Sequence, residues 1–193
     1  MLTKGIKFKN FKIKQNTTKI SRELKKLIHK KSQIIESLSK NYRYSFSKKK
    51  LKKFKKLSNF RIIGMGGSIL GTQAIYDFLK HKIKKNFLFV NNLQNNQKKK
   101  INKKIVNLVI SKSGNTIETI VNSNILIKNN SKNIFITENK KSYLYLLAQK
   151  LKSEIIHHNN FIGGRYSVLS EVGMVPAELM GLKIKDFKQL NSL

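Results

Sequence analysis

From Phe60 onward, short apolar runs alternate with stretches whose apolar residues recur at helical spacing. The runs at 60–65, 86–90, 105–110, 133–137 and 154–158 read as strands. Helical patterns follow them at 68–79, weakly in a lysine-rich stretch around 95–104, from 116 to about 128, at 142–151 and at 167–180. Alternation of this kind implies parallel strands joined by right-handed crossovers. In such a sheet a ligand sits outside the carboxyl ends of the strands, where the strand order reverses.

The chain before Phe60 has a different rhythm. Ile20, Leu24, Leu27, Ile28, Ile34, Ile35 and Leu38 recur at near-helical spacing, with Thr18 or Ser21 as a cap and Glu23 as an early negative charge. This predicts a helical arm. The very basic stretch 47–56 reads either as a second helix or as a solvated connector. The expected division is an arm over 1–57 and an α/β domain over 58–193.

Charge adds a question about partners. Lys and Arg total 41 against 9 Asp and Glu, a formal net charge of +32 over 193 residues. Nucleic-acid binding is the obvious reading. Yet Arg occurs only at 22, 43, 61 and 165, and base and phosphate recognition draws heavily on the arginine fork. An excess of Lys, Asn and Ile together reads better as compositional drift at solvent positions, which argues against nucleic acid as the partner. Either way the field attracts anions. The lysine runs at 48–50 and 98–100 read as solvated faces. There is no cysteine, which excludes disulfides, thiolate metal sites and a thiol nucleophile. The charged N-terminus is not followed by an apolar run, and no run reaches membrane-helix length. The expectation is a cytoplasmic protein with no membrane segment.

Nine of the ten glycines fall in three patches. Gly64, Gly66, Gly67 and Gly71 follow the first strand, and Gly114 follows the third. Gly163, Gly164, Gly173 and Gly181 surround the string Gly163-Gly164-Arg165-Tyr166-Ser167. Ser111-Lys112-Ser113-Gly114-Asn115-Thr116 ends a strand and opens a helix, so free backbone N–H groups and three hydroxyls are available to an anion. Asn115 or Thr116 also suits the helix cap, with Glu118 in the first turn; an ordinary Ser/Thr-rich cap without ligand is the plainer alternative. The string is not a Walker loop, because no Gly-x4-Gly-Lys-Ser/Thr occurs. The first patch also fails the dinucleotide pattern: Ile69 stands where the third glycine belongs, and Asn91 and Asn92 follow the second strand in place of an acidic residue. Taken alone it is a tight strand-to-helix turn. Arg165 beside paired glycines suits an anion or a developing oxyanion, or else a solvated surface turn.

Taken together, the three strings resemble the glucose-6-phosphate isomerase (phosphoglucose isomerase) family, built on the sugar isomerase (SIS) fold. The family pattern Gly-Gly-Ser-x-x-Leu-Gly, one spacer shorter in some members, is nearly met by Gly66-Gly67-Ser68-Ile69-Leu70-Gly71. Ser-Lys-Ser/Thr-x-x-Thr-x-Glu-Thr is met from Ser111 to Thr119. Gly-Gly-Arg-Tyr/Phe-Ser-x-x-Ser-x-x-Gly is met from Gly163 to Gly173, and this last string is the most diagnostic. The resemblance spans about residues 58–182. It implies an SIS-type three-layer αβα sandwich with a five-stranded parallel sheet. It implies that Ser111, Ser113 and Thr116, with Lys112, Gly114 and Asn115 in the same loop, hold a substrate phosphate. It further implies that Gly67 and Ser68 line the sugar site, and that Arg165 stabilises the enediol-type intermediate as a proton moves from C2 to C1. The family uses neither metal nor cofactor.

Family enzymes carry a second SIS domain that supplies the glutamate base, a lysine near the C-terminus, and a histidine that reaches in from the partner subunit. None of these is placed in this sequence. Glu171 and Glu178 read as ordinary helix residues, and His157 and His158 lie at a strand end. Three readings follow: the N-terminal part of a glucose-6-phosphate isomerase that needs a missing C-terminal SIS domain or a homodimer partner; a lone SIS module that binds a phosphosugar without turnover; and a cationic nucleic-acid-binding protein.

Overall fold

In a computed structural model that describes residues 17–30, 32–93, 104–128 and 130–192, with side chains up to residue 188, five segments form one sheet. They are β1 (Asn59–Gly64), β2 (Asn86–Val90), β3 (Val106–Ile110), β4 (Lys132–Thr137) and β5 (Glu154–His157). All neighbours pair in parallel, in the order β2-β1-β3-β4-β5. A parallel strand covered on both faces reads as a near-continuous apolar run. β3 is accordingly buried at every position, and β4 at all but Lys132. The two buried asparagines of these strands pair with one another. Arg61, Asn107 and Asn133 stand in one cross-strand row, where Asn107 donates to Asn133 at 2.9 Å and accepts from Arg61 at 3.3 Å.

Successive strand residues point to opposite faces, and the core divides on that basis. Phe60, Ile62, Leu108, Ile110, Ile134, Ile136 and Ile156 face α3 (Lys48–Lys55), α4 (Leu70–Leu79) and α7 (Glu171–Met180). Ile63, Val90, Val109 and Phe135 face α5 (Ile117–Leu126) and α6 (Tyr143–Lys150). The architecture is therefore the expected αβα sandwich around a five-stranded parallel sheet.

Several local expectations change. The basic stretch is helical: Ser47 caps α3 by accepting from Lys50 N, and Leu51 and Phe54 are buried in the core. The arm breaks into α1 (Thr18–His29) and α2 (Gln33–Leu38), with Ser32 capping α2. No residue of α1 is buried; Ile20, Leu24, Leu27 and Ile28 are all exposed. The expected helix at 68–79 starts only at Leu70, because Gly66–Ser68 makes a separate 3-10 turn. The expected helix at 167–180 starts only at Glu171. Before it, the Ser167 hydroxyl donates to Gly164 O and the Ser170 hydroxyl to Ser167 O, both at 2.7 Å. These local bonds close turns that compete with a helix. The weak helix expected around 95–104 falls almost wholly outside the described residues.

Every residue of α7 is buried, so its carboxylates require partners. Glu171 accepts from Ser45 N at 2.9 Å and from the Tyr42 hydroxyl at 3.2 Å. Glu178 pairs with Lys55 and, at 3.7 Å, with Lys48. Both are helix residues, as read, and in addition they fasten the arm and α3 to the domain.

Candidate functional site at the strand-order reversal

β2 lies on one side of β1 and β3 on the other, so the strand order reverses between β1 and β3. At this point parallel α/β sheets open a crevice at the strand tips. Gly64 and Ile110, the last residues of these two strands, are register partners. The 66–68 turn and the 111–116 loop therefore leave the sheet side by side.

Each loop has a backbone reason for its glycines. Gly66 takes φ +53° and Gly114 φ +68°, left-handed values that favour glycine. Gly114 also packs directly on the Ser142 side chain. The loop is held from several directions: Ser111 N donates to Ile136 O at 3.1 Å, Glu138 N to Lys112 O at 3.1 Å, and Leu144 N to Gly114 O at 3.0 Å. The buried Ser111 hydroxyl meets the Thr116 hydroxyl at 3.0 Å. Thr116 is the N-cap residue of α5, yet its side chain makes no capping bond. Asn115 does not cap either, since its side-chain oxygen accepts from Tyr143 N at 2.9 Å. The first-turn N–H groups of α5 thus receive no side-chain cap, while Ser113 is exposed at the loop's crest, its oxygen accepting from Asn115 N. Such a helix start is ready for an anion.

The third string completes the crevice. Gly164–Tyr166 forms a 3-10 turn that packs backbone to backbone on the first loop: a Cβ added at Gly67 would overlap the Gly164 carbonyl group. Arg165 is exposed, and no carboxylate among the described residues pairs with it. Ser68 is buried at the end of its turn. Gly67, Ser68, the 111–116 loop and the turn carrying Arg165 are therefore drawn to one end of the sheet.

One local charge cluster gave no signal in the sequence. Glu138, buried just past β4, faces Lys140 at 2.6 Å and Lys112 at 3.6 Å. Burial opposes its ionisation, but the bonded Lys140 ammonium and the Lys112 charge outweigh that and hold its carboxyl below the usual carboxylate range. The two histidines differ. His157 is exposed, whereas His158 is fully buried and burial lowers its pKa. Glu118 sits in the first turn of α5, as expected. Among the described residues no group of three or more His, Cys, Asp or Glu could hold a metal ion, and no helix is long and apolar enough to cross a membrane.

The family model for phosphoglucose isomerase matches residues 9–191. The chain belongs to the phosphoglucose isomerase family. Among curated proteins it is 36% identical over 149 residues to the glucose-6-phosphate isomerase of Methanocaldococcus jannaschii, a match covering 69% of this chain and 36% of that protein. It is likewise 36% identical over 143 residues to the enzyme of Acholeplasma laidlawii, covering 64% of this chain and 34% of the relative. The chain thus spans about a third of the length of the curated isomerases it matches. Among solved structures, a hypothetical protein of Thermus thermophilus superposes with a TM-score of 0.68 at 18% identity, over 88% of this chain and 46% of the other. Tagatose-6-phosphate ketose/aldose isomerase of Escherichia coli superposes with a TM-score of 0.55 at 16% identity, over 72% of this chain and 43% of the other. Phosphoglucose isomerase membership and the sandwich fold agree with the three strings that meet at the strand-order reversal.

Proposed function

We propose that this chain is the phosphate- and sugar-binding part of a glucose-6-phosphate isomerase, which interconverts glucose 6-phosphate and fructose 6-phosphate. The observation that carries the reading is the meeting of the three family strings at the β1/β3 reversal. In this reading the α5 N-terminus and the hydroxyls of Ser111, Ser113 and Thr116 hold the phosphoryl group, with Gly114 and Asn115 shaping the loop. Gly67 and Ser68 line the sugar. Arg165, exposed and without a partner carboxylate among the described residues, faces the enediolate oxygen that carries negative charge while a proton passes from C2 to C1.

The proton needs a base within about 3 Å. Of the carboxylates near the strand tips, Glu138 is engaged by two lysines, Glu171 by Tyr42 and Ser45, and Glu118 belongs to the first turn of α5 as part of its helix start. Following the family resemblance, we assign the base to a second SIS domain or a homodimer partner, with the complete enzyme working in the cytoplasm without metal or cofactor. The same engaged carboxylates favour, as a second reading, a phosphosugar-binding module without turnover.

The test is a coupled assay for conversion of fructose 6-phosphate by the purified 193-residue chain, with calorimetric binding of the same sugar. The first reading expects binding with little or no turnover, and turnover restored by a second SIS domain. The second expects binding that no added domain converts into turnover. Normal turnover by the chain alone would refute the assignment of the base.

A further inference from the structure

Lys112 occupies a position from which it can serve the site without touching a ligand. Its ammonium donates to Asn160 O at 2.7 Å, reaching from the β3 loop across to the segment that follows β5. Asn160 belongs to a tight stretch: Phe161 N donates to the Asn159 side chain at 2.9 Å, Ile162 N to Asn159 O at 3.2 Å, and Tyr166 N to Gly163 O at 2.9 Å. That stretch ends in Arg165. Its far end is pressed against Gly67, so the arginine-bearing turn is gripped at two points, one on each of the other two strings.

The charge of Lys112 is already occupied. Glu138 lies 3.6 Å from its ammonium, and the lysine side chain is 30% exposed. An ammonium has three donors and a flexible stem. Here one donor is spent on a carbonyl and the charge on a buried carboxylate, while the loop's phosphate-facing groups are hydroxyls and backbone N–H groups. A second anchor lies beneath the same stretch, where His158 N donates to Thr137 O at 2.8 Å.

We propose that Lys112 is a positioning residue: it ties the phosphate loop to the 159–166 turn, so that the contribution of Arg165 to sugar-phosphate binding depends on it. This rests on the reading of the site given above. The experiment measures calorimetric affinity for glucose 6-phosphate and for inorganic phosphate with the full chain, Lys112→Met, Lys112→Arg, Arg165→Ala and the Lys112→Met/Arg165→Ala double variant. Hydrogen exchange of residues 159–166 is followed in the same proteins.

Arg165→Ala and Lys112→Met are each expected to weaken glucose 6-phosphate about tenfold, with the double variant no weaker than the worse single one. Inorganic phosphate is expected to bind Lys112→Met within about twofold of the unaltered chain, because the hydroxyls and N–H groups remain. Lys112→Arg keeps the donor and should recover much of the loss. A loss of inorganic phosphate binding in Lys112→Met, or additive losses in the double variant, would make Lys112 a direct ligand and overturn the proposal. If the unaltered chain bound no glucose 6-phosphate, the functional reading would fail while the tie would still be judged by exchange. Faster exchange at 159–166 in Lys112→Met supports it; unchanged exchange overturns it.

Discussion

Replacing Gly67 by alanine tests whether the first and third strings form one site. The added methyl would come within 2.7 Å of Arg165 N, and closer still to the carbonyl carbon and oxygen of Gly164. Ordinary contact begins at 3.4 Å. The atoms in the way are backbone, so no rotamer change relieves the overlap. The two turns must separate by about 1 Å, which forfeits much of their dispersion contact. Overpacking of this kind costs roughly 1–3 kcal/mol. A displacement of that size at a positioned cation can cost up to about a hundredfold in function. Calorimetry with glucose 6-phosphate and thermal melts followed by circular dichroism read the two effects. Gly164→Ala is the control, because a Cβ there meets nothing within 4 Å. The expectation is weaker binding and a lower Tm for Gly67→Ala, with Gly164→Ala near the unaltered chain. If Gly67→Ala binds and melts like the unaltered chain, the close apposition of the two turns is wrong.

Gly114→Ala combines a left-handed backbone with a clash against Ser142; it should cost at least about 1–2 kcal/mol and abolish phosphate binding, as urea melts and calorimetry would show. Glu171→Ala strands the Tyr42 hydroxyl and Ser45 N, and should cost roughly 1–3 kcal/mol and make the arm more sensitive to limited proteolysis. Lys188 is 3% exposed, with its ammonium 4.5 Å from the ring centroids of both Tyr42 and Tyr44. Burial pulls its pKa from 10.5 down to about 8, against an opposing pull from Glu171. Between those values the unfolded chain binds more protons than the folded one, so this group's unfavourable contribution is complete below pH 8 and fades as pH rises. Lys188→Met should therefore raise Tm at pH 7, by the equivalent of at most about 3 kcal/mol, and the gain should shrink by pH 10. A gain that stays constant or grows with pH would contradict that sign.

The strands were legible because a parallel strand buried on both faces leaves a short apolar run, as at residues 108–110 within β3 and 134–136 within β4. The crevice was legible because glycine is scarce elsewhere, and the loops at the strand tips need left-handed backbone at Gly66 and Gly114. The partners of long polar side chains were not legible. Glu171 and Glu178 read as ordinary helix residues, and their partners emerge only once α7 is seen to be wholly buried. Lys112 stands out in the sequence as part of the phosphate loop, but its partner Asn160 is seen only in the structure. Helix starts were misplaced where serine hydroxyls close turns, as at Ser167 and Ser170. In α1 the apolar spacing identified a helix but not its packing, since Ile20, Leu24, Leu27 and Ile28 stay exposed.

On this reading a phosphoryl group sits at the start of α5. The most direct measurement is calorimetric titration of glucose 6-phosphate into the purified chain and into Ser113→Ala/Thr116→Ala, with a variant altered at Lys48, Lys49 and Lys50 as the charge control. Saturable binding is expected, which the hydroxyl substitutions weaken at least about tenfold and the lysine substitutions leave intact. Binding that ignores the hydroxyls and falls with the lysines would contradict it.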